Sequence, residues 1–247
     1  MNKTVSVIIP SFNEEANIAA AVANVLEAVK GRVEDYEIKL FDDCSTDKTG
    51  QIIDRLAAEN KKIMAVHNQK NMGFGFNFNK GVELCRMEYI SILPGDNEIE
   101  LKGIETMFDN IGIADVIVPY VVNKDVRSIS RQLISKTYVF IMNLFFRCGL
   151  CYYTGPAILR SDILKNMTLR ANDFAFMSVA LVRAVRKGYS FVEVPIYIRS
   201  RLGGKSKAFR FKNVVSVIIT ISKLFWEVYV SHRGQYCKRK IRIRENI

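Results

Sequence analysis

The chain has 247 residues, 49% of them hydrophobic, which suits one large α/β domain or a domain with a modest extension, so two domains are not required. The formal charge of +11 is unevenly spread: residues 1–120 carry 12 Lys/Arg against 19 Asp/Glu (net −7), and residues 121–247 carry 24 against 6 (net +18). The basic half is suited to meeting something anionic. Because its cations alternate with long aliphatic and aromatic stretches, a membrane surface or a polyphosphate is expected, not nucleic acid.

In chain order, VSVIIPSFNEE supplies a β-branched strand at 5–9 and then a helix at 15–30, for which Asn13 is a natural cap. The N-terminus enters this strand directly and meets Pro10 before any apolar signal core, so no secretory signal is expected. A strand at 36–41 stops at Asp42-Asp43 and leads through Ser45-Thr46-Asp47 into a helix at 47–60. A strand at 63–66 precedes NMGFGFNFNKG and a helix at 74–86. A strand at 89–93 stops at Pro94-Gly95-Asp96, and a fifth extended run covers 115–119. This alternation predicts a doubly wound sheet with right-handed crossovers. The carboxyl ends of such strands share one crevice where nucleotides bind, so acidic residues delivered there point to a metal or a ribose.

After residue 125 the pattern changes. A helix at 127–147 places Leu133, Thr137, Phe140, Ile141, Leu144 and Phe145 on one face and Arg127, Arg131 and Ser135 on a separate i, i+4, i+8 stripe. A second apolar helix, 209–230, has a narrow polar stripe of Ser216, Thr220, Lys223 and Glu227, followed by a basic tail at 238–244. The nine residues between Asn213 and Lys223 fall short of the roughly 20 needed to span a bilayer, so these helices are expected to lie in an interface. The chain therefore divides into a domain at 1–212 and an apolar interface helix with its basic tail at 213–247. The five cysteines, including Cys148-Gly-Leu-Cys151, read as reduced thiols in packing positions. His67 and His232 are too few and too separated for a histidine metal site.

The chemistry concentrates in the crevice. Asp96 and Glu98, two residues apart in a turn, present both carboxylates to one side and suit Mg²⁺ or Mn²⁺ with a diphosphate and water as the other ligands. Glu14, Asp42 and Asp43 suit ribose hydroxyls and base N–H groups, and Phe12 offers the base a flat surface. Gly73, Gly75 and Gly81 permit close backbone approach beside a helix start. RSRLGGKSKAFR (199–210) carries five basic residues and no acid, and its glycine pair lets Arg201 and Lys207 fold over one diphosphate.

IIPSFNEE, DDCSTDKT, NMGFGFNFNKG, the acidic turn at 96–98, the R-x3-R-x3-S of Arg127, Arg131 and Ser135, and GYSFVEVPIYIRSRLGGKSK together resemble the family 2 glycosyltransferases of GT-A fold. Within that family they look most like the dolichyl-phosphate mannose synthase and polyprenyl-phosphate hexosyltransferase branch. The resemblance implies a Rossmann-like, mixed but mostly parallel sheet with helices on both faces, followed by amphipathic interface helices. It implies inverting hexose transfer from a UDP- or GDP-sugar, aided by Mg²⁺ or Mn²⁺. It places Pro10, Phe12, Glu14 and Asp42 around the nucleoside, with Asn13, Asp43, Asn71, Gly73, Gly75 and Gly95 completing the donor crevice. Asp96 and Glu98 fall at the metal, and Arg127, Arg131, Arg201 and Lys207 around the donor diphosphate and acceptor phosphate.

The chain departs from the family at two places. Pro94 occupies the first acidic position of the usual D-x-D, so metal coordination rests on Asp96 with Glu98. Val179, in FAFMSVALVRA, occupies the place of a glutamate usual in the lipid-phosphate branch, and Asp173 is the local candidate for the base that hydroxyl acceptors require. A phosphate oxygen is already anionic at pH 7 and needs no base. The excess of Arg and Lys and the two apolar helices therefore favour a lipid-phosphate acceptor at the cytoplasmic face of a membrane. A homo-oligomer or a separate membrane-anchoring subunit is compatible with those helices. Transfer to a sugar hydroxyl with Asp173 as base is the alternative, and a catalytically silent sugar-nucleotide-binding subunit is the reading from another class.

Overall fold

The computed structural model describes residues 3–167, 175–199 and 211–243. One sheet with strand order β3-β2-β1-β4-β6-β5-β7-β8 organises them. Its strands are β1 (Thr4–Ser11), β2 (Asp35–Asp42), β3 (Ile63–His67), β4 (Tyr89–Ile92), β5 (Val116–Val121), β6 (Ile158–Arg160), β7 (Ser190–Ile196) and β8 (Ile241–Arg242). β6 runs antiparallel to both of its neighbours, β4 and β5; the other pairings are parallel. The chain winds outward from β1 through β2 to β3, then returns to the far side of β1 as β4. That reversal opens a crevice between β1 and β4 at their carboxyl ends.

Helices cover both faces because the strands are apolar on both. Val5, Val7 and Ile9 of β1 pack with α1 (Ile18–Val29), α2 (Thr49–Glu59) and α4 (Leu101–Asp109) in one cluster. Ile8 packs with α3 (Phe74–Leu84), α6 (Ser161–Lys165) and α7 (Phe176–Arg186) in the other, joined by Met142 and Phe146 of α5 (Ile129–Phe146) and Leu224 of α8 (Phe211–Trp226). This two-sided burial is why β1 reads as an unbroken apolar run.

The described part of the segment from 215 to 243 shares this core. Leu224, Val228 and Tyr236 are buried in it, Tyr236 Oη donates to Glu227, and β8 pairs with β7 while Arg242 meets Glu193. The basic tail at 238–244 is therefore partly a sheet edge, and Lys240 Nζ donates to the Arg147 carbonyl. Tyr236→Ala is expected to destabilise the protein by about 3 kcal/mol in urea unfolding, the usual scale for emptying a buried aromatic site. An unchanged unfolding midpoint would show that the tail is peripheral after all.

Asn13 does not cap α1, which begins at Ile18 with Asn17 preceding it. Asn13 is instead left-handed (φ 57°), and its Oδ1 accepts the Thr46 amide at 2.8 Å while its own amide donates to Ser45 Oγ at 3.0 Å. A short polar side chain tolerates that conformation because it bonds locally. The result ties the β1 loop to the β2 loop at the crevice.

Candidate active site

The site is assembled from three strand ends. Pro10 continues the β1–β2 register opposite Phe41, and Glu14 just beyond is buried, its amide donating to Thr49 Oγ1 at 2.8 Å and its Oε2 accepting Asn17 Nδ2 at 2.8 Å. Asp42 ends β2 with Oδ1 accepting the Ser45 amide at 3.0 Å. Asp43 faces the glycine loop: it accepts from Asn68 Nδ2 (2.8 Å), the Met72 amide (2.8 Å) and the Gly73 amide (2.9 Å). Asn71 Nδ2 donates to the Asp43 carbonyl at 3.2 Å. Asp43 thus holds the loop that starts α3, and Gly73 (φ 88°) makes the turn while Gly75 is buried in the first turn of the helix.

The β4 turn carries the acidic pair. The Leu93 amide donates to the Ile8 carbonyl and the Gly95 amide to the Pro10 carbonyl, so β1 stays bonded to this turn on alternate residues. Pro94 sits between those two donors, where the absence of an N–H costs no ladder bond. Gly95 is required by contact: a Cβ there would stand 2.2 Å from Ser11 Oγ. Asn97 (φ 54°) completes the turn and its Oδ1 accepts Asn24 Nδ2 at 2.8 Å.

Asp96 Oδ1 accepts the Glu98 amide at 3.2 Å. Burial, then the charge of Glu98, push the Asp96 carboxyl up to about 6, outweighing the Glu98 amide and the Arg131 charge. Two carboxylates in a shielded turn form a hard-oxygen donor set suited to Mg²⁺ or Mn²⁺. Among the described residues no group of three or more His, Cys, Asp or Glu is arranged to hold a metal ion, so other ligands would have to come from a diphosphate and water. Metal binding needs ionised Asp96. Mn²⁺ affinity is therefore expected to be full above about pH 7 and to fall by about tenfold per pH unit well below 6, as a proton competes for the carboxylate. Calorimetric titration with Mn²⁺ from pH 5 to 7.5 checks this, and a flat profile would place the metal elsewhere.

Cations face the acidic turn from the start of α5: Arg127 precedes its cap in an extended conformation and Arg131 stands in its first turn. Arg127 Nη2 stands 3.8 Å and Arg131 Nη2 4.0 Å from Glu98 Oε2, and Arg127 Nη1 donates to Tyr152 Oη at 3.1 Å. Ser128 caps this helix by accepting the Arg131 amide. Beside the two arginines lies a cavity of about 250 Å³ whose polar lining includes Lys124, Lys136, Ser135 and Tyr152; among the described residues no carboxylate or histidine stands in its wall. Lys124, Lys136 and Tyr152 are not among the site residues expected from the sequence; Lys136 is legible there only as a flank of the apolar face of the helix, and Lys124 only as a member of the basic half. Val179 is buried on α7 in the core, which accounts for an apolar residue there. Asp173, Arg201 and Lys207 lie outside the described residues. Cys148 and Cys151 are free thiols, and burial pushes Cys148 up to about 11, as suits a packing residue.

A mostly parallel sheet that gathers carboxylates at the ends of β1, β2 and β4, with one antiparallel strand between β4 and β5, is a GT-A fold. The structural match to glucosyl-3-phosphoglycerate synthase of Mycobacterium tuberculosis, solved with Mn²⁺, UDP-glucose and phosphoglyceric acid, has a TM-score of 0.65 at 14% identity, covering 90% of this chain and 79% of that one. The family model for glycosyl transferase family 2 matches residues 6–167, and the chain belongs to that family. It is 28% identical over 127 residues to Glycosyltransferase GlyG of Streptococcus pneumoniae, covering 51% of this chain and 41% of that protein. It is 28% identical over 214 residues to the polyprenol monophosphomannose synthase of Mycolicibacterium smegmatis, covering 81% of this chain and 79% of that protein. The chain thus spans about two fifths of the length of GlyG.

Proposed function

We propose that this chain transfers a hexose, with inversion, from a UDP- or GDP-sugar to a polyprenyl phosphate at a membrane surface. The observation that carries this reading is the cationic cavity beside the acidic turn. Phe140 belongs both to its wall and to the outward face of α5, so a phosphate held by Arg127, Arg131, Lys124 and Lys136 has an apolar exit for its lipid. The likeness to a polyprenol monophosphomannose synthase along most of both chains supports the same acceptor.

In the proposed step an acceptor phosphate oxygen attacks the anomeric carbon, the bond to the donor diphosphate breaks, and the nucleoside diphosphate leaves with that electron pair. The attacking oxygen carries no proton to remove, so the step asks for no base in the cavity wall. Arg127 and Arg131 orient the two anionic groups against each other. Mg²⁺ or Mn²⁺ held by Asp96 and Glu98 would neutralise charge on the departing diphosphate.

The outward faces of α5 and α8 supply the membrane contact. Ile129 (84% exposed), Phe140 (67%), Trp226 (62%) and Leu144 (60%) point to solvent, whereas Ser216 and Thr220 of the polar stripe are half-buried and Glu227 pairs with Arg183 at 2.7 Å. The helices are turned apolar side out, the reverse of a surface helix on a soluble domain. Phe145 and Phe225 meet at 5.8 Å between ring centroids, and Tyr229 Oη donates to the Phe145 carbonyl at 2.6 Å, which joins the two faces. Among the described residues no helix is long and apolar enough to cross a membrane.

The test is incubation with a panel of UDP- and GDP-sugars, Mn²⁺ and either a short polyprenyl phosphate or the same polyprenol without its phosphate, followed by mass analysis. A glycosylated phosphate lipid is the expected product. Transfer to a sugar hydroxyl or to a soluble phosphorylated acid, with none to the lipid, would overturn the acceptor. No donor turnover with any sugar would favour a silent binding subunit.

A further inference from the structure

β3 ends on His67, which lies opposite Asp42 in the parallel β2–β3 register. Its Nδ1 stands 3.2 Å from Asp42 Oδ2 and its Nε2 2.8 Å from Asp54 Oδ1 on α2. A neutral imidazole has one N–H, so one ring nitrogen would turn a lone pair against a carboxylate oxygen. The imidazolium donates to both. Gly50 leaves room for the arrangement, since a Cβ there would stand 3.0 Å from Asp42 Oδ2 and 3.6 Å from His67 Cε1. Asp42 Oδ1 is held separately by the Ser45 amide at 3.0 Å. Two donors from different elements therefore set the plane of the Asp42 carboxylate.

We propose that His67 is a positioning residue for donor recognition: as an imidazolium bridging Asp54 to Asp42, it fixes the Asp42 carboxylate at the edge of the crevice, so nucleoside diphosphate affinity falls when the imidazolium is lost. The inference rests on Asp42 facing the nucleoside, the role given to it above. When the proton leaves, Nε2 keeps its shorter bond to Asp54 and the Nδ1 lone pair opposes Asp42 Oδ2. The charged groups acting on the ring are both carboxylates, Asp42 from β2 and Asp54 from α2. Burial alone lowers the histidine pKa, but the hydrogen bonds to Asp54 and Asp42 and their charges outweigh it and raise it. A raised histidine pKa means the bridge is intact at low pH and is lost as pH rises through that value.

The experiment is calorimetric titration of the full chain with UDP and with GDP, each with Mg²⁺, from pH 7 to 9, a window above the titration of Asp96. Wild type is expected to lose about tenfold in affinity for the better nucleotide across the window, the scale of one charge-assisted hydrogen bond. His67→Gln should bind about tenfold more weakly at pH 7 with a flat profile. In transfer assays its donor KM should rise with kcat little changed. Asp54→Asn, on the far side of the ring, provides a second variant and should move the wild-type decline to lower pH without altering affinity at the acid end. Asp42→Asn separates the two layers of argument. If it leaves nucleotide affinity unchanged, Asp42 does not face the nucleoside and the proposal falls with its premise. If Asp42→Asn weakens binding but His67→Gln and Asp54→Asn keep the wild-type affinity and profile, the premise stands and the His67 proposal is overturned.

Discussion

Replacing Asp96 with alanine is expected to lower hexose transfer by about a thousandfold, the several kcal/mol that a divalent cation contributes to a departing diphosphate. The reason is the small donor set. Asp96 and Glu98 supply the carboxylates of the turn, and no third His, Cys, Asp or Glu joins them among the described residues. Folding should survive the change, because burial and the Glu98 charge already disfavour an ionised Asp96 in the metal-free protein. The Tm without metal is therefore expected to stay level or rise. Glu98→Ala should be milder in kcat, since a donor-bound cation keeps its phosphate ligands, but it also removes the anion that faces Arg127 and Arg131. Single-turnover assays at saturating donor and Mn²⁺ give the comparison. Near wild-type turnover in Asp96→Ala, with metal still required, would move the cation site away from this turn.

The sequence carries the frame of this site well and its wiring poorly. β1, β2, β4 and β5 are legible because burial on both faces writes them as unbroken β-branched runs, and their polar terminators mark the crevice. β6 has three residues and β8 two, too short for any period to show, so the antiparallel insertion between β4 and β5 and the sheet edge formed by the basic tail emerge only in three dimensions. Asp42 and Asp43 look equivalent in DDCSTD, yet alternation along the strand end sends one toward His67 and the other into the amides of the glycine loop. Nothing local distinguishes those fates. Asn13 was a reasonable cap by residue type, but its side chain found the Thr46 amide of a neighbouring loop first. That Arg127 and Arg131 meet one acidic turn was readable from their spacing, although the helix expected from 127 starts at Ile129 and Arg127 precedes it in an extended conformation. Which side of α5 and α8 meets the protein was not, since an apolar face is the same signal whether it ends in a core or in lipid.

That ambiguity sets up the largest effect expected outside the crevice. The double variant Leu144→Asp/Trp226→Asp is expected to weaken binding to anionic liposomes by about a thousandfold. Each side chain is exposed and lies on the joined outward face of α5 and α8. Withdrawing each from lipid forfeits about 2 kcal/mol, and about 4 kcal/mol together corresponds to roughly that factor. Neither residue lies in the hydrophobic core, so the unfolding midpoint should not move. Attachment of the wild type should also weaken with salt, because exposed cations near an anionic surface add about 1 kcal/mol each. The functional consequence separates two meanings of an exposed apolar face. If the face seats the enzyme on the bilayer that holds its acceptor, the double variant loses transfer to a long-chain polyprenyl phosphate in vesicles but keeps transfer to a short, water-soluble analogue. If instead the face packs against another protein, wild type and variant behave alike in co-sedimentation, both staying in the supernatant at low salt. The cationic cavity would then receive a soluble phosphorylated acceptor, and the lipid would drop out of the reaction while Asp96, Arg127 and Arg131 kept their places in it.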